Sequence, residues 1–337
     1  MEITRAEFKM LDGLLRATGR TIQKSAVILP PRERAAFSAG YLLCRAADTV
    51  ADAAELAPER KIFWVKEFPS LIDADVGQFA AEILPCVKNN GEKELVKNLP
   101  AVVSVYNKFE SADKKLIRAV AQKVCEGMLF DLQTFKTGVL TSLKTAAELE
   151  NYCALMGGAP GVFWSELILS SAKIKMPADD FKSLGENIGD ALQIVNILRD
   201  VREDIKNGRC YFPESDLKFF NASAEDFKNG NFNAVSPVIK KWILWGLDKI
   251  ETAPKYFEQI PKTAWRLRLS VLLPVVWSLD TFALMAQTNP LAERVKITKK
   301  NIYGAILKSP KHLLSNQNFA SAVRRKTEQI KSLLAEV

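Results

Sequence analysis

The stretch NILRDVRED, residues 196–204, combines the apolar spacing of a buried helix with a row of polar side chains. At about 100° of rotation per residue, four polar side chains fall within a sector of roughly 80°: Gln193, Asn196, Asp200 and Asp204. Leu, Ile and Val fill most of the remaining circumference. A polar stripe on an otherwise apolar helix predicts that this side of the helix faces a ligand.

A second stretch, YLLCRAADTVAD at residues 41–52, has the same design. Four polar side chains share one helical face amid Leu, Ala and Val: Tyr41, Arg45, Asp48 and Asp52. Two desolvated carboxylate pairs repel each other unless cations and a polyanionic ligand join them, and Mg²⁺ is the cation commonly shared between carboxylates and phosphates. The alternative is a solvated face on which arginines balance the charge, but the apolar flanks favour a buried magnesium and diphosphate site.

The composition narrows the function classes. The chain has 337 residues and a formal net charge of +8, which suits an anionic partner. Its basic residues are scattered, so we expect no nucleic acid. Five cysteines without a C-x-x-C pair and an N-terminus without an apolar run predict a reducing, cytoplasmic location. The most apolar run, 269–279, contains Pro274 and is predicted to be a core helix rather than a transmembrane segment.

Apolar residues recur at spacings of three and four almost throughout, which predicts an all-α fold. The predicted helices cover residues 4–17, 32–55, 58–68, 73–88, 92–107, 111–136, 145–172, 178–207, 232–259, 261–288 and 298–308. Gly157, Gly158, Pro160 and Gly161 predict a helix break and the close approach of a prenyl chain or a backbone carbonyl. The poorly periodic link 207–237 is predicted to be a flap over the site. No repeat or composition shift divides the chain, so residues 1–337 are predicted to form one domain.

These motifs resemble the squalene and phytoene synthase family. DTVAD and NILRDVRED, followed by GRCYFP, look like its two aspartate-rich motifs and the adjoining flap. TGRTI at 18–22 is similar to the family's T-S-R-S-F, and YCALMGGAPG at 152–161 to its Y-C-x-x-V-A-G-x-V-G. The resemblance, which extends through most of the chain, implies a single large helical bundle of the isoprenoid synthase type with a central active-site cavity.

The resemblance also implies roles for individual residues. Mg²⁺ would be held by Asp48, Asp52, Asp200 and Asp204. Substrate would be bound by Arg20, Thr21, Gln193, Asn196, Arg199, Arg209 and Tyr211, with Arg45 as a further phosphate donor. Tyr41 and Tyr152 are the candidates for accepting the proton, and Lys296 and Arg20 for holding NADPH phosphates. Each also has a purely structural alternative: an ion pair for Arg199, core hydrogen bonds for Gln193 and Asn196, buried structural tyrosines, and a solvated Lys296.

Within the family the cues lean toward squalene synthase. Asp48-Thr49 looks like the D-T-x-x-D form of squalene synthases, and RVKITKK at 294–300 is similar to a stretch associated with their NADPH-dependent step. This implies head-to-head condensation of two farnesyl diphosphates to presqualene diphosphate, reduction to squalene, and transient contact with a membrane surface as a peripheral protein at its inner face. The alternatives are a phytoene or dehydrosqualene synthase, a presqualene diphosphate synthase without reduction, and a non-catalytic assembly or lipid-binding member of the superfamily. The single histidine, His312, lies far from every motif, so a catalytic triad has little support.

Overall fold

The computed structural model describes residues 3–19, 22–53, 55–136 and 138–336, without the side chains of Ile22, Asp52 and Glu336. Helices make up nearly all of the regular structure, which confirms the predicted all-α class. The chain divides into two compact units, one formed by Met1–Gln133 with Glu166–Ser171, the other by Thr134–Ser165 with Ala172–Val337. The predicted single domain and central cavity stay predictions.

The first unit contains eight α-helices among its described residues. They are α1 (Arg5–Thr18), α2 (Ile22–Ala26), α3 (Pro31–Asp52), α4 (Pro58–Leu71), α5 (Gly77–Ile83), α6 (Asn90–Lys97), α7 (Leu99–Asn107) and α8 (Ser111–Thr134). The central helix α3 packs against α1, α4, α6 and α7. Its apolar side chains, such as Leu42, Leu43 and Val50, are fully buried, so the packing fixes the rotation of the helix about its axis.

The second unit contains most of the remaining elements. They are β1 (Thr141–Ser142), α9 (Ala146–Cys153), a π-helical turn (Ala154–Gly158), α10 (Ala159–Leu169, whose last turn belongs to the first unit), α11 (Ala178–Lys206), β2 (Arg209–Cys210), α12 (Glu214–Phe219), α13 (Ala224–Lys228), α14 (Phe232–Ile250), α15 (Ala253–Gln259), α16 (Trp265–Met285), α17 (Lys299–Leu314) and α18 (Asn316–Glu336). The central helix α11 packs against the π turn, α14, α15 and α16.

The end of α11 is set by local chemistry. The helix ends at Lys206, and Gly208 follows in the left-handed region with a φ of 79°, which glycine adopts without strain. The chain then turns into β2, whose Arg209 and Cys210 pair in parallel with Thr141 and Ser142 of β1. This pairing holds Arg209, and Tyr211 two residues later, directly after the helix that carries the second aspartate motif.

The predicted break near Pro160 is instead a π-helical turn, and the helix continues through it. A proline ring clashes with the carbonyl one α-turn earlier, and the wider π turn relieves that clash. The predicted close approach does occur, because Cβ atoms added at Gly157 and Gly161 would overlap the carbonyl oxygens of Gly189 and Gly185. The backbone of α11 thus lies directly against the π turn and the start of α10.

Two stretches of the second unit contain more regular structure than the sequence predicts, and the flap role of residues 207–237 stays a prediction. The link 207–237 holds β2, α12, α13 and the first turns of α14, and it is anchored by Phe212, which stacks on Phe227 at 4.6 Å between ring centroids. The sequence predicts that the last helix ends at residue 308, but α17 continues to Leu314 and α18 follows. Phe319, Val323, Ile330 and Leu334 form the buried face of α18.

Two helical stretches of the described chain are long and apolar enough to cross a membrane by length and composition, Ala146–Leu169 and Trp265–Met285. In the second, α16, 72% of the most apolar window is buried inside the protein. This burial agrees with the predicted core helix, since the apolar side chains of α16 pack against α11, α17 and α18.

Candidate active site

The first aspartate motif places a largely buried arginine between two carboxylates. Arg45 of α3 forms ion pairs with Asp48, one turn further along the helix, and with Glu92 at the start of α6. The side chains of Arg45 and Glu92 are 15% and 14% exposed and that of Asp48 is 28% exposed. Sequence reasoning missed Glu92, because nothing in NNGEKE indicates which helix its carboxylate contacts.

The guanidinium of Arg45 stays charged beside these two carboxylates. Burial lowers the pKa of the guanidinium, but the neighbouring carboxylates of Asp48 and Glu92 outweigh burial and leave the pKa raised overall. Its Nε is buried and has no hydrogen-bond partner among the described residues. A charged guanidinium with an unused buried donor is a suitable contact for a phosphate oxygen.

The other predicted residues of this helix face either bond to backbone carbonyls or lie outside the described residues. Tyr41 donates its hydroxyl proton to the backbone carbonyl of Thr18 at 3.2 Å. Thr49, whose identity suggested a squalene synthase, donates to the carbonyl of Arg45 at 2.9 Å and is buried, so its hydroxyl serves the helix itself. Arg20 and Thr21 lie outside the described residues, as does the side chain of Asp52.

The second aspartate motif lies on α11, where Arg199 and Asp200 form a bidentate ion pair. Arg199 donates from Nε and Nη2 to the two carboxylate oxygens of Asp200, the first at 2.9 Å, and both side chains are a little more than a quarter exposed. Asn196 donates from Nδ2 to Gln193 Oε1 at 3.3 Å. Asp204 is half-buried on the same face. The structural alternatives considered for these residues, an ion pair and an amide hydrogen bond, are therefore both present.

Two candidate tyrosines meet in the second unit. The hydroxyls of Tyr152 and Tyr211 are 3.3 Å apart, and their rings stack with centroids 4.9 Å apart. Both residues are 5% exposed, and Phe135 packs edge-on against Tyr211. The buried contact ties the Y-C segment of α9 to the residue that follows β2.

The donor set fits magnesium in one specific way. Each motif offers hard carboxylate oxygens on a half-buried helix face, the ligand type that Mg²⁺ prefers. Among the described residues no group of three or more His, Cys, Asp or Glu side chains could enclose a metal ion. Mg²⁺ is commonly held by one or two carboxylates, with water and substrate phosphates completing its octahedron.

The second unit also contains a buried charged cluster that the sequence did not predict. Asp190 of α11 is 4% exposed and accepts a hydrogen bond from Lys249 of α14 at 2.9 Å, while Lys249 also donates to Asn187 at 2.9 Å. Burial raises the pKa of Asp190 to about 6, although Lys249 opposes the rise. The carboxylate faces Gly158 of the π turn, where an added Cβ would lie 2.7 Å from Asp190 Oδ1.

We predict a pH-dependent contribution of Asp190 to stability. Its pKa in the folded protein lies above the ordinary value of 3.8, so this contribution is fully present below that value and is lost as pH rises through about 6. The free energy of unfolding of the wild type, minus that of Asp190→Asn, should therefore rise by about 2–3 kcal/mol between about pH 7 and about pH 4. Urea unfolding at both pH values measures this difference.

Asp248→Asn is the matched control for that experiment. Its carboxylate is 72% exposed and lies one residue before Lys249, so this substitution should leave the difference unchanged with pH. A pH-independent difference for Asp190→Asn would contradict the raised pKa.

Lys296 lies in the segment between α16 and α17 and is exposed, as is Arg294. Val295 between them is 1% exposed and anchors the segment to the core. The two cations therefore project from an anchored backbone, a placement that suits a phosphate contact reached from solvent. A solvated surface lysine, the structural alternative for Lys296, has the same geometry.

Comparison with known sequences gives a consistent result. The family model described as Squalene/phytoene synthase matches residues 15–301. A squalene synthase of Eremothecium gossypii is 26% identical over 308 residues, which are 90% of this chain and 68% of that protein. A 15-cis-phytoene synthase of Synechocystis is also 26% identical, over 88% of this chain and 79% of that protein. The chain spans 63% of a probable squalene synthase of Neurospora crassa.

Solved structures show the same fold. A structure of TcSQS with the ligand E5700 superimposes with a TM-score of 0.81 and 19% identity, over 98% of this chain and 96% of that one. A dehydrosqualene synthase in complex with a ligand gives a TM-score of 0.64 and 17% identity, over 92% and 97% of the two chains. These likenesses confirm the predicted isoprenoid synthase type of helical fold.

Proposed function

Because the chain belongs to the squalene/phytoene synthase family, whose members are prenyltransferases, we propose that it condenses two farnesyl diphosphates head to head and reduces the product to squalene. The observation that carries the proposal is the pair of aspartate helices, each with two carboxylates four residues apart and an arginine held against the first of them. Such a face is better suited to binding a metal diphosphate than to stabilising the fold. An isolated ion pair adds little to the stability of the fold when its carboxylate is half-buried.

In the first half-reaction the C1–O bond of one farnesyl diphosphate breaks and diphosphate leaves with the electron pair. The double bond of the second substrate attacks the allylic cation, and loss of one proton closes the cyclopropane of presqualene diphosphate. Mg²⁺ held by Asp48, Asp52, Asp200 and Asp204 would neutralise the charge that develops on the leaving diphosphate. Arg45, Arg199 and Arg209 would donate hydrogen bonds to its oxygens and orient the substrate.

Tyr152 is the better candidate for the residue that receives the proton. Its hydroxyl contacts another phenol, that of Tyr211, which can reorient to share a hydrogen bond. The hydroxyl of Tyr41 instead donates its proton to a backbone carbonyl, which fixes its position. We therefore assign Tyr41 to shaping the site and Tyr152 to the proton, with the departing diphosphate as its final acceptor.

The second half-reaction would break the remaining C–O bond, rearrange the cyclopropylcarbinyl cation and quench it with a hydride. NADPH would supply the hydride and leave as NADP⁺. Among the described residues, Lys296 and Arg294 would hold its phosphates, since both are exposed on an anchored segment; Arg20, the other predicted contact, lies outside the described residues. The proposed nucleotide contact is therefore made at the protein surface.

Product analysis tests this proposal. With farnesyl diphosphate, Mg²⁺ and NADPH the protein should release squalene, and without NADPH it should accumulate presqualene diphosphate. Lys296→Ala should slow the reductive step by about tenfold or more while sparing the condensation, because one charge-assisted contact contributes about 1.5–3 kcal/mol. Lys262→Ala, at another exposed lysine, is the control and should affect neither step.

Three outcomes would redirect the proposal. Phytoene from geranylgeranyl diphosphate as the preferred product, which the Synechocystis relative makes a specific alternative, would replace the substrate. A hydrocarbon formed without NADPH would remove the reduction. Equal loss in both half-reactions for Lys296→Ala would make that residue structural.

A further inference from the structure

Helix α17 carries an unusual combination of residues. Its sixteen residues, KKNIYGAILKSPKHLL, include four lysines and no aspartate or glutamate. Across the described chain nine large apolar side chains are exposed, and four of them lie on this one helix: Tyr303 at 61%, Ile306 at 39%, Leu307 at 80% and Leu314 at 75%. Scattered exposed apolar residues need no explanation, whereas a concentration on one element indicates an interaction surface.

The four side chains form one stripe. At about 100° per residue Tyr303, Leu307 and Leu314 fall within a sector of about 40°, and Ile306 adjoins it. The buried residues Ala305 and Ser309 lie on the other side of the helix, where α17 packs against α16 and α18. The helix is therefore apolar on two sides, and only one of them is satisfied by packing within its unit.

Cations lie along one side of this stripe and within it. Around the helix, Lys300 and Lys311 follow Leu307, and Lys299 lies between Ile306 and Tyr303; all three lysines are exposed. Lysine side chains beside an apolar stripe can extend toward headgroup phosphates while leucines and tyrosine enter the acyl boundary. The absence of acidic residues from α17 favours an anionic lipid surface over a partner protein of mixed charge.

We propose that the outward face of α17, formed by Tyr303, Ile306, Leu307 and Leu314 with its bordering lysines, docks the protein on an anionic lipid bilayer. The helix lies in the plane of the interface, and its stripe from Tyr303 to Leu314 spans about 16 Å of bilayer surface. This docking does not depend on the proposed reaction. We expect the same docking whichever prenyl diphosphate the protein uses.

Flotation of the full chain with vesicles tests the proposal. We expect binding to phosphatidylcholine vesicles that contain phosphatidylglycerol and much weaker binding to phosphatidylcholine alone. The double variant Leu307→Ser, Leu314→Ser should weaken binding to the anionic vesicles at least about tenfold, because both side chains leave the acyl boundary. The double variant Lys300→Gln, Lys311→Gln should abolish the preference for anionic vesicles.

Phe219→Ser is the matched control, since Phe219 of α12 is 77% exposed and should not contribute. All substituted side chains are exposed, so circular dichroism and the melting temperature should match those of the wild type. Two results would overturn the proposal: no binding of the wild type to either vesicle, or equal binding by wild type and the leucine variant. A wild-type dimer that the leucine variant converts to a monomer, with vesicle binding unchanged, would make this face an interface between two copies instead.

Discussion

Asp48→Ala and Asp200→Ala should each lower kcat/KM for farnesyl diphosphate by at least about a hundredfold, with the helical content unchanged. Each substitution removes a proposed Mg²⁺ ligand where negative charge develops, and such a loss costs several kcal/mol of transition-state stabilisation. It also releases Arg45 or Arg199 from the ion pair that orients it. Steady-state kinetics across a range of Mg²⁺ concentrations measures both effects, and the variants should require more metal.

Glu203→Ala provides the control on the same helix as Asp200. Its carboxylate is 69% exposed and pairs loosely with Lys206 at 3.7 Å, so we expect activity close to that of the wild type. If Asp48→Ala and Asp200→Ala both retained more than about a tenth of the activity, the metal role would be lost. Chelation of Mg²⁺ tests the same step independently, since chelated protein should no longer consume farnesyl diphosphate.

The sequence predicted the two aspartate helices well for an identifiable physical reason. The prediction for α11 was 178–207 and the helix spans Ala178–Lys206, because a strong apolar period is bounded by Pro177 and by Asn207-Gly208. Pattern and capping chemistry are local, so they can be read without knowing the fold. The same apolar period leaves the polar residues on one side of each helix, so the polar stripes could be predicted as well.

The residues that sequence reasoning missed act over long separations. Glu92 reaches Arg45 from 47 residues away, and Lys249 reaches Asp190 from 59 residues away. No local pattern indicates which helix will contribute a counter-ion to a motif. The ion pair of Arg199 with Asp200 is adjacent in sequence and was foreseen as an alternative.

The π turn was missed for a different reason. Glycine and proline at 157–161 indicated a break, but whether a helix stops or widens depends on what packs against it. Here α11 approaches so closely that a side chain at Gly157 would overlap the carbonyl of Gly189. The same contact leaves no room for a side chain at Gly189.

Gly189→Ala should lower the free energy of unfolding by about 3 kcal/mol or more. The added Cβ would overlap the carbonyl oxygen of Gly157 and lie 3.0 Å from the Cα of Gly158, and neither backbone atom can rotate away. The α11 helix and the π turn must then separate, which also displaces Gln193 from its place beside Gly157. We therefore expect a loss of activity in the protein that remains folded, because the polar stripe of α11 shifts with the helix.

Gly304→Ala separates this effect from the general preference of helices for alanine. Gly304 is also helical and belongs to the same unit, but an added Cβ there meets no atom within 4 Å. That substitution should stabilise the protein by about 0.5–1 kcal/mol through reduced freedom of the unfolded chain. Urea unfolding of both variants gives the comparison, and opposite signs are expected. A Gly189→Ala protein as stable as Gly304→Ala would mean that α11 and the π turn are not in backbone contact, and the placement of Tyr152 relative to the second aspartate motif would have to be revised.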